Sequence, residues 1–475
     1  MFIDHFFDRR CTEDQRPIRI DRALAIIERY LLANGKQMSD YGLPLPHNSL
    51  TDDPDTAVDQ RLGHKVLATA STGIAATKFY AGGMTLHSAF RFGINHRPGQ
   101  IPQIQFGSYF GRRIIESDVV IIDEITLLEM TLLENVDLLC RTMVPSKRDI
   151  PFAGKVVILS GDWKQSLPVV KNCSIPEMAV PVCIQSSYLY KMFLKNRLLQ
   201  NMRLQPSEVQ FKQWLYNLGT NTSRDKIALP KSMIVETRDE LISFVFDQGF
   251  NIHSSQLLTR LMLAPTNRSV DLNNDLILSS FNSQSRDYYS VDRCLTDDPL
   301  DPYAAQQDVS YINKLTPSGL PAHHLHLKVG SIIVLLINLN TSKGLCNGTR
   351  LKIIALRDHL IEAETIYGVN QGVTVGLSRS RMQHQDPEPD GVSFVRLQFP
   401  VRTAFCMTIT KAQGQTCERL GIDFSDEPFA HGQLYTALSR CTNSNFIRVF
   451  APDKPRDTDG NVLITNVVAR GIQFD

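Results

Sequence analysis

The sequence predicts an α/β protein built on a parallel sheet that helices cover on both faces. Short apolar segments at Lys65–Ala70, Val119–Ile122 and Val156–Leu159 have the length of buried strands. Between them, Ile74–Tyr80 and Met130–Cys140 have the apolar spacing of helices. Continuous apolar strands that alternate with helices are typical of a doubly covered parallel sheet.

The segment before this pattern predicts a helix followed by a linker. Apolar residues at helical spacing run from Ile20 to Leu32, and Asn34-Gly35 then provides a C-cap signal. From Pro46 to His64 the chain is polar and rich in Pro, Asn and Asp, which indicates a loop. We therefore expect residues 1–64 to form an N-terminal helical segment and a polar linker.

A second group of elements begins near Arg203. Leu261–Thr266 and Gly330–Ile337 have the pattern of strands. Between residues 340 and 400, short strand-like segments alternate with Gly, Asn and Pro turns, which favours a small barrel. Phe405–Arg440 returns to the α/β pattern.

Composition limits the possible functions. The chain has 475 residues, 43% hydrophobic and 21% charged, which is typical of a globular protein with two or three cores. Its formal net charge of +1 means that any nucleic-acid binding would depend on a local groove. No apolar run approaches the roughly 18–20 residues of a membrane span, so we expect no membrane partner. Met1–His5 also lacks the pattern of a secretory signal.

The nine cysteines give no sign of a metal site or a disulfide framework. None lies in a Cys-x-x-Cys pair, and the closest two, Cys173 and Cys183, have no matching His cluster. We therefore expect core or neutral surface cysteines in a reducing compartment.

Two carboxylates, Asp123 and Glu124, follow the apolar strand Val119–Ile122. A motor ATPase needs one carboxylate to hold Mg²⁺ and a second to orient and deprotonate the attacking water. This pattern of a Walker B strand therefore predicts a nucleotide site. Taken alone, the segment fits a buried strand that ends in an acidic turn equally well.

Three further segments have a possible role in the same chemistry. Gly161–Gln165 follows the strand Val156–Leu159, as a γ-phosphate sensor would, although a simple polar turn has the same pattern. Ala68–Ala76 and Gly82–Ser88 are rich in small hydroxyl residues that suit a nucleic-acid backbone, or a helix cap and tight packing. Met407–Thr416 is followed by Gln433–Arg440, where Arg440 ends an apolar helix and could reach a γ-phosphate or form a surface ion pair. The combination is more specific than any one segment.

The loop that holds nucleotide phosphates is absent from the sequence. Gly-x-x-x-x-Gly-Lys-Ser/Thr occurs nowhere in the 475 residues. Gly35-Lys36 is followed by Gln37, and Gly154-Lys155 is followed by Val156, so neither pair continues into Ser or Thr.

Taken in order, these segments resemble the Pif-type superfamily-1 DNA helicases, especially the branch found in Helitron transposons. The resemblance runs from about Ile20 to the C-terminus. It rests on an upstream phrase at Ser39–Pro46, motif Ia at residues 65–90, motif II at Val119–Glu124, motif III at Gly161–Gln165, motif IV at Asn201–Leu204, a second-domain signature at Lys343–Arg350, and motifs V and VI at Thr408–Thr416 and Tyr435–Arg440.

This resemblance implies two RecA-like parallel-sheet motor domains, with a small SH3-like β insertion in the second. The first, incomplete domain would span residues 65–200 and lack its phosphate-loop strand. The second would span residues 201–475, with the insertion at about residues 300–400. The implied activity is ATP- and Mg²⁺-dependent 5′→3′ translocation along single-stranded DNA, with unwinding of forked duplex DNA.

The resemblance also implies roles for individual residues. Asp123 would hold Mg²⁺ together with ATP, and Glu124 would be the catalytic base. Gln165, Arg203 and Arg440 would contact the γ-phosphate. Gly414 would lie at the nucleotide. The residues implied along the DNA groove are Ser71, Thr72, Thr85, His87, Thr410 and Thr416.

The missing loop has two physical consequences. Family members carry a strand, the phosphate loop and a helix before the segment equivalent to Lys65–Ala70, a unit of on the order of 30 residues. Pro46–His64 is too short for it, and only Gln60 could stand for the adenine-contacting glutamine. Without the loop, Asp123 would hold Mg²⁺ weakly, because the phosphates share that ion. Without the strand, its neighbours would be unpaired or paired differently, which would destabilise the first domain.

Three hypotheses follow for the function. In the first, the gene encodes a working helicase in DNA repair, recombination or telomere maintenance, and a segment between about Thr51 and His64 is missing from this sequence. In the second, the deletion is real, and the product is a remnant that binds single-stranded DNA without hydrolysis. In the third, the fold serves a structural or interaction role. We expect a nuclear location, with the mitochondrion as the alternative.

Overall fold

The structure of the protein is a computed structural model. It describes residues 2–6, 65–76, 79, 83–93, 96–168, 170, 175–198, 201, 203–223, 226–247, 259–295, 309–317, 319–340, 344–366, 371–385 and 392–474. The helix predicted at Ile20–Leu32, the segment Ser39–Pro46, the linker Pro46–His64 and Gln60 lie outside the described residues.

Helices and strands alternate along the first part of the described chain. The α-helices are α1 (Gly73–Ala76), α2 (Leu86–Phe90), α3 (Tyr109–Glu116), α4 (Met130–Met143), α5 (Val209–Thr220), α6 (Arg238–Phe246), α7 (Asn267–Ser279), α8 (Val309–Lys314) and α9 (Gln433–Leu438). The strands are β1 (Phe2–Phe6), β2 (Val66–Ala70), β3 (Met84–Thr85), β4 (Val119–Asp123), β5 (Val156–Gly161), β6 (Phe193–Arg197), β7 (Lys226–Leu229), β8 (Ile234–Val235), β9 (Arg260–Ala264), β10 (Ser285–Tyr289), β11 (Val291–Cys294), β12 (His324–Lys328), β13 (Ile332–Leu335), β14 (Arg350–Leu356), β15 (Ile361–Thr365), β16 (Thr374–Leu377), β17 (Ser380–His384), β18 (Phe394–Gln398), β19 (Val401–Thr403), β20 (Cys406–Thr408), β21 (Arg419–Asp423), β22 (Ile447–Phe450) and β23 (Val462–Thr465). Short 3₁₀ helices lie at Ile125–Leu127, Pro145–Lys147, Pro151–Gly154, Pro176–Ala179, Ile184–Ser186, Tyr190–Met192, Lys231–Met233, Ile409–Ala412 and Ser444–Phe446.

The chain divides into two compact units. The first comprises Met1–Glu236, Ala412–Leu420 and Phe424–Asp475, and the second comprises Thr237–Lys411 and Gly421–Asp423. The domain boundary expected between residues 200 and 201 stays a prediction. The compact units divide between Glu236 and Thr237, and the last part of the chain returns to the first unit.

The first unit is built on a sheet with the strand order β3-β2-β4-β5-β1-β6. Strands β3, β2, β4 and β5 are parallel, with Val66 opposite Val119 and Val119 opposite Val156. The Val- and Ile-rich segments form these strands because both faces of the sheet are covered. The predicted parallel α/β fold is confirmed, and each predicted strand lies within two residues of its expected bounds.

Strand β1 occupies the position between β5 and β6. It pairs antiparallel with both, so that Phe2 lies opposite Gly161 on one side and Arg197 on the other. The expectation that a phosphate-loop strand is missing, and that its neighbours are unpaired or paired differently, stays a prediction.

The core of the first unit lies between this sheet and its helices. Helix α4 contributes a continuous apolar stripe, because its buried residues recur at the three- and four-residue spacing of one helix face. These residues are Leu132, Leu133, Val136, Leu139, Cys140 and Met143. Trp163 packs edge-to-face against Tyr190, with ring centroids 5.8 Å apart, and both are buried. The loop after β5 is thereby anchored in the core.

The second unit combines parallel and antiparallel strands. Strands β9 and β20 are parallel. Antiparallel sheets have the orders β16-β15-β14-β13-β19 and β11-β18-β17. The strand-rich segment expected between residues 340 and 400 is therefore present, while its likeness to an SH3 barrel stays a prediction. Among the described residues of the whole chain, no helix is long and apolar enough to cross a membrane.

Candidate active site

Asp123 and Glu124 lie where β4 ends. Asp123 is the last residue of the strand, its backbone carbonyl accepts a hydrogen bond from Ser71 N at 2.9 Å, and its carboxylate accepts one from the Ser160 hydroxyl on β5. Glu124 has φ +55°, a left-handed conformation that only a few per cent of non-glycine residues adopt. The chain therefore turns sharply between the two carboxylates.

Gly161, the last residue of β5, permits the turn after Glu124 to approach closely. A Cβ atom at Gly161 would lie 2.8 Å from Ile125 Cγ1. Any side chain there would displace the 3₁₀ turn that follows Glu124. The glycine of the predicted sensor loop therefore has a packing role.

Gln413 holds the Glu124 carboxylate. Its Nε2 donates to Glu124 Oε2 at 3.1 Å and to Thr126 Oγ1 at 2.8 Å, and its side chain is fully buried. Sequence reasoning assigned no role to Gln413. The only signal was its place within the predicted motif V, one residue before Gly414.

Asp162 is the centre of a second polar cluster. Its carboxylate accepts hydrogen bonds from Lys164 Nζ at 2.8 Å, Tyr435 Oη at 2.8 Å and Gln165 Nε2 at 3.3 Å. Burial raises the pKa of Asp162, but nearby positive charge, chiefly the Lys164 ammonium, together with hydrogen bonds from Lys164 and Tyr435, holds that pKa well below its ordinary value. Asp162 is therefore ionised. The sequence pattern did not identify Asp162, Lys164 or Tyr435 as a group.

Lys164 joins this loop to helix α5. Its Nζ lies 5.7 Å from the ring centroids of both Tyr216 and Tyr435. A Cβ atom at Gly219 would lie 2.7–2.8 Å from the methylene carbons of Lys164. The absence of a side chain at Gly219 is what gives Lys164 room beside the helix.

Gln165 and Arg440 contact each other. Arg440 Nη2 donates to Gln165 Oε1 at 3.2 Å, and Arg440 is fully buried. The other acceptors of its guanidinium are Thr436 O, Ser439 Oγ and Gln415 O, at 2.9, 2.9 and 3.4 Å. All four oxygens are neutral. Burial, followed by repulsion from Arg203, lowers the pKa of Arg440 to about 10.

Arg203 joins this group through the backbone of Ser439. Its Nη1 donates to Ser439 O at 3.0 Å, next to the Ser439 hydroxyl that Arg440 contacts. The structure thus brings Gln165, Arg203 and Arg440 together in the first unit. Their roles toward a γ-phosphate stay predictions.

The segment before α9 fits the sensor loop closely. Gly432 has φ +69°, and a Cβ atom there would lie 2.5 Å from Lys164 O and 2.7 Å from the carbonyl carbon of Gln165. His431 Nε2 donates to Trp163 O at 2.9 Å, while its Nδ1 accepts from Ala469 N at 2.9 Å. These partners require a neutral ring protonated on Nε2, and burial lowers the pKa of His431 accordingly.

Some of the residues predicted along the DNA groove form hydrogen bonds within the fold. Thr72 Oγ1 accepts from Ala75 N at 3.2 Å, and Thr85 Oγ1 accepts from Ser88 N at 3.2 Å, so both hydroxyls cap short helices. His87 is partly buried, with its ring 5.8 Å from that of His96, and burial and His96 lower its pKa. Capping was one of the two readings that the sequence left open.

Gly414, which the resemblance places at the nucleotide, has φ +86° and is buried in the first unit. The remaining residues predicted along the DNA groove lie in different units. Thr416 is exposed in the first unit, and Thr410 lies in the second unit, in the 3₁₀ helix Ile409–Ala412. The nucleotide role of Gly414 and the DNA-binding roles of Thr410 and Thr416 stay predictions.

The donor set fits a metal ion that is shared with a bound phosphate. Among the described residues, no group of three or more His, Cys, Asp or Glu side chains could hold a metal by itself. Asp123 could hold Mg²⁺ through water, since this ion keeps several waters and takes one or two carboxylates. The fully buried Arg440 with its neutral partners fits an anion.

Comparison with known families agrees with this geometry. The family described as "PIF1-like helicase" matches residues 57–227, and "DNA helicase Pif1, 2B domain" matches residues 310–356. Over these two ranges the chain is similar to Pif-type helicases. Within the matched ranges lie Asp123, Glu124, Gln165 and Arg203.

Individual Pif1 proteins match most of the chain. "ATP-dependent DNA helicase PIF1" of Danio rerio is 27% identical over 83% of this chain and 55% of its own length. The Homo sapiens protein of the same name is 27% identical over 81% of this chain and 54% of its own length. "ATP-dependent DNA helicase Pif1" of Campylobacter jejuni is 26% identical, covering 82% and 83%. The chain thus spans about half the length of the vertebrate relatives.

Solved Pif1 structures share the fold. A crystal structure of Bacteroides Pif1 bound to single-stranded DNA matches with a TM-score of 0.59 and 25% identity over 82% of this chain and 83% of that one. Bacteroides Pif1 in complex with ADP-AlF3 and single-stranded DNA matches with a TM-score of 0.58 and 26% identity over 82% of each chain.

Proposed function

We propose that this Pif-type protein is an ATP-dependent DNA helicase that moves 5′→3′ along single-stranded DNA and unwinds forked duplex DNA. One observation carries the proposal: Gln165, Arg203 and Arg440 lie together in the unit that also presents Asp123 and Glu124 at the carboxyl end of β4. Ligands of open α/β sheets bind outside the carboxyl ends of the strands. The relatives named as ATP-dependent DNA helicases support the same function.

Each nucleotide-side residue has a role that follows from its position. Glu124 accepts the proton of the attacking water, and Gln413 fixes the orientation of its carboxylate. Asp123 would hold Mg²⁺ through water. That ion would supply positive charge to offset the negative charge that develops during phosphoryl transfer.

Arg440 is suited to bind the γ-phosphate because its charge is buried among neutral oxygens. Desolvation makes such a cation costly, and an arriving phosphate oxygen would offset that cost. Gln165 would then exchange its contact with Arg440 for one with the phosphate. Through Asp162 and Tyr435, the same loop would transmit the change to helix α9.

The DNA strand would follow the hydroxyl-rich segments. Their residues are Ser71, Thr72, Thr85, His87, Thr410 and Thr416. Hydroxyl and imidazole groups make phosphate contacts that fix the strand without reading its sequence. We place the activity in genome maintenance, in repair, recombination or telomere upkeep, and in the nucleus.

Because the sequence lacks Gly-x-x-x-x-Gly-Lys-Ser/Thr, we expect the chain to bind nucleotide weakly. No amide nest of that kind and no loop lysine would hold the β- and γ-phosphates. Turnover would therefore require millimolar rather than micromolar ATP, the upper end of the usual range of KM.

The test is DNA-stimulated ATP turnover by the purified full chain at millimolar Mg²⁺-ATP. Glu124→Gln keeps an oxygen that Gln413 can contact, so it should retain the fold while turnover falls by about 10²–10⁴-fold. The exposed Glu116→Gln is the matched control and should keep wild-type turnover. A folded wild-type chain with no turnover would overturn the proposal. If that chain still bound single-stranded DNA in a salt-dependent manner, the non-hydrolysing remnant would be the correct reading.

A further inference from the structure

Two cysteines of the first unit lie opposite each other on neighbouring segments. Cys417 and Cys441 form an isolated parallel β-bridge, and Cys417 N donates to Arg440 O at 3.0 Å. Neither cysteine is in a disulfide, and both are buried, at 3% and 0% exposure. Neighbouring strands lie about 4.7–4.9 Å apart. Disulfides form at Cα separations of about 4.4–6.8 Å, so the spacing suits a bond.

Each sulfur atom lies near a carbonyl of the opposite segment, and Cys441 Sγ also lies 3.3 Å from Asn443 O and 3.8 Å from Phe446 O on its own segment. Cys441 Sγ lies 3.3 Å from Glu418 O, and Cys417 Sγ lies 3.7 Å from Arg440 O. Each thiol thus contacts the carbonyl group of the residue next to the other cysteine.

The electrostatic environment of Cys441 differs from that of the other titrating cysteines. A hydrogen bond from the Cys417 thiol lowers the pKa of Cys441, and backbone amides at Asn443 and Thr442 act in the same direction. Burial raises the pKa of the remaining described cysteines for which a shift is evident, namely Cys140, Cys183, Cys294, Cys346 and Cys406. The thiolate is the nucleophile, and among these cysteines only Cys441 has a lowered pKa.

We propose that Cys417 and Cys441 are an oxidisable pair that hydrogen peroxide converts into a disulfide. The Cys441 thiolate attacks one peroxide oxygen, the O–O bond breaks, and a sulfenic acid and hydroxide form. The Cys417 sulfur then attacks the Cys441 sulfur, the S–O bond breaks, and the oxygen leaves as water. In sum, two thiols and one hydrogen peroxide give one disulfide and two waters.

The bond would fix two segments of the candidate active site to each other. Cys417 follows Gln413 and Gln415, which contact Glu124 and Arg440, and Cys441 directly follows Arg440. An oxidised chain would hold these segments in the arrangement that the structure shows. This consequence rests on the proposed function: turnover that requires them to separate would fall on oxidation and recover with a dithiol.

The sequence allows a direct test on the full wild-type chain. Trypsin cleaves after Lys411, Arg419, Arg440 and Arg448, so Ala412–Arg419 and Cys441–Arg448 are separate peptides, each with one cysteine. After peroxide treatment, alkylation and non-reducing digestion, we expect these two peptides as one linked species that dithiothreitol resolves. Two separately alkylated peptides, a sulfinic Cys441 beside an alkylated Cys417, or a link to another cysteine would overturn the proposal.

Single-residue variants separate this pair from other thiols. Cys417→Ala and Cys441→Ala should each abolish the linked species, while Cys294→Ala, which removes a more accessible thiol, should retain it. The wild-type peptide map decides the question even if a variant does not fold. Linked peptides from a folded chain without ATP turnover would support the pair and overturn the proposed function, so the two failures are distinguishable.

Discussion

Arg440 donates a hydrogen bond from its guanidinium to the side-chain oxygen of Gln165 at 3.2 Å, and both side chains are buried. The two residues are 275 positions apart in the chain, yet both lie in the first compact unit. All four acceptors of the guanidinium are neutral oxygens. Each of these hydrogen bonds therefore offsets part of the desolvation cost of burying the charge.

We expect Gln165→Leu to lower the free energy of unfolding by about 1–3 kcal/mol. The substitution leaves Arg440 Nη2 with one acceptor fewer, and hydrogen bonds to charged groups are worth about that amount. Urea unfolding of the variant and of the exposed control Gln213→Leu would measure the difference. In a double-mutant cycle with Arg440→Met, the two effects should not add. Additivity within error would show that the contact contributes nothing.

Gly432→Ala should destabilise the first unit by about 2–4 kcal/mol. The new Cβ would lie 2.5 Å from Lys164 O, and the left-handed backbone adds about 1–2 kcal/mol for a residue with a side chain. Gly107→Ala is the matched control, because a Cβ there meets nothing within 4 Å. Thermal unfolding of both variants compares them directly. Equal stability of the two would mean that α9 does not pack against the sensor loop as described.

Local sequence patterns were sufficient to locate the strands of the first unit and the carboxylates at the end of β4. The apolar segment at Val119 has the length of a buried strand and forms one, so the position of Asp123 follows from where the apolar residues stop. The contact between Gln413 and Glu124 joins residues 289 positions apart. Nothing in the local pattern of either segment indicates the other.

The N-terminal strand also depends on contacts with residues far away in the chain, which local patterns do not predict. Phe2–Phe6 has no turn signal or alternating pattern that predicts a strand, and it pairs with residues more than 150 positions away. Its pairing depends on the free edges of β5 and β6, which only the assembled sheet provides.

The hydroxyls of Thr72 and Thr85 illustrate a different limit of prediction from sequence. Phosphate binding and helix capping favour the same residue types, so sequence alone could not separate them.

Gln413→Leu should lower the free energy of unfolding by about 1–3 kcal/mol. The change keeps the size of the side chain but leaves the buried Thr126 hydroxyl without its donor at 2.8 Å. In a cycle with Thr126→Val, the double variant should cost less than the sum of the single ones. Under the proposed function, kcat should also fall more than KM rises, because Glu124 loses its orientation. A change confined to KM would contradict that role.

Because of His431, we expect the free energy of unfolding to decrease as the pH falls below about 6.5, the ordinary pKa of histidine. Burial lowers the pKa of His431 in the folded protein, where its ring is neutral between Trp163 O and Ala469 N. Below pH 6.5 the unfolded chain therefore binds a proton that the folded chain does not. The stability that the neutral ring contributes is complete above that pH and decreases by about 1.4 kcal/mol for each pH unit below it, until the folded pKa is reached.

His431→Gln retains a donor and an acceptor without titrating, so its unfolding free energy should decrease less than that of the wild type between pH 7.5 and pH 5.5. The same decrease in both proteins, or an NMR titration of the His431 ring near pH 6.5 in the folded state, would contradict the buried neutral tautomer.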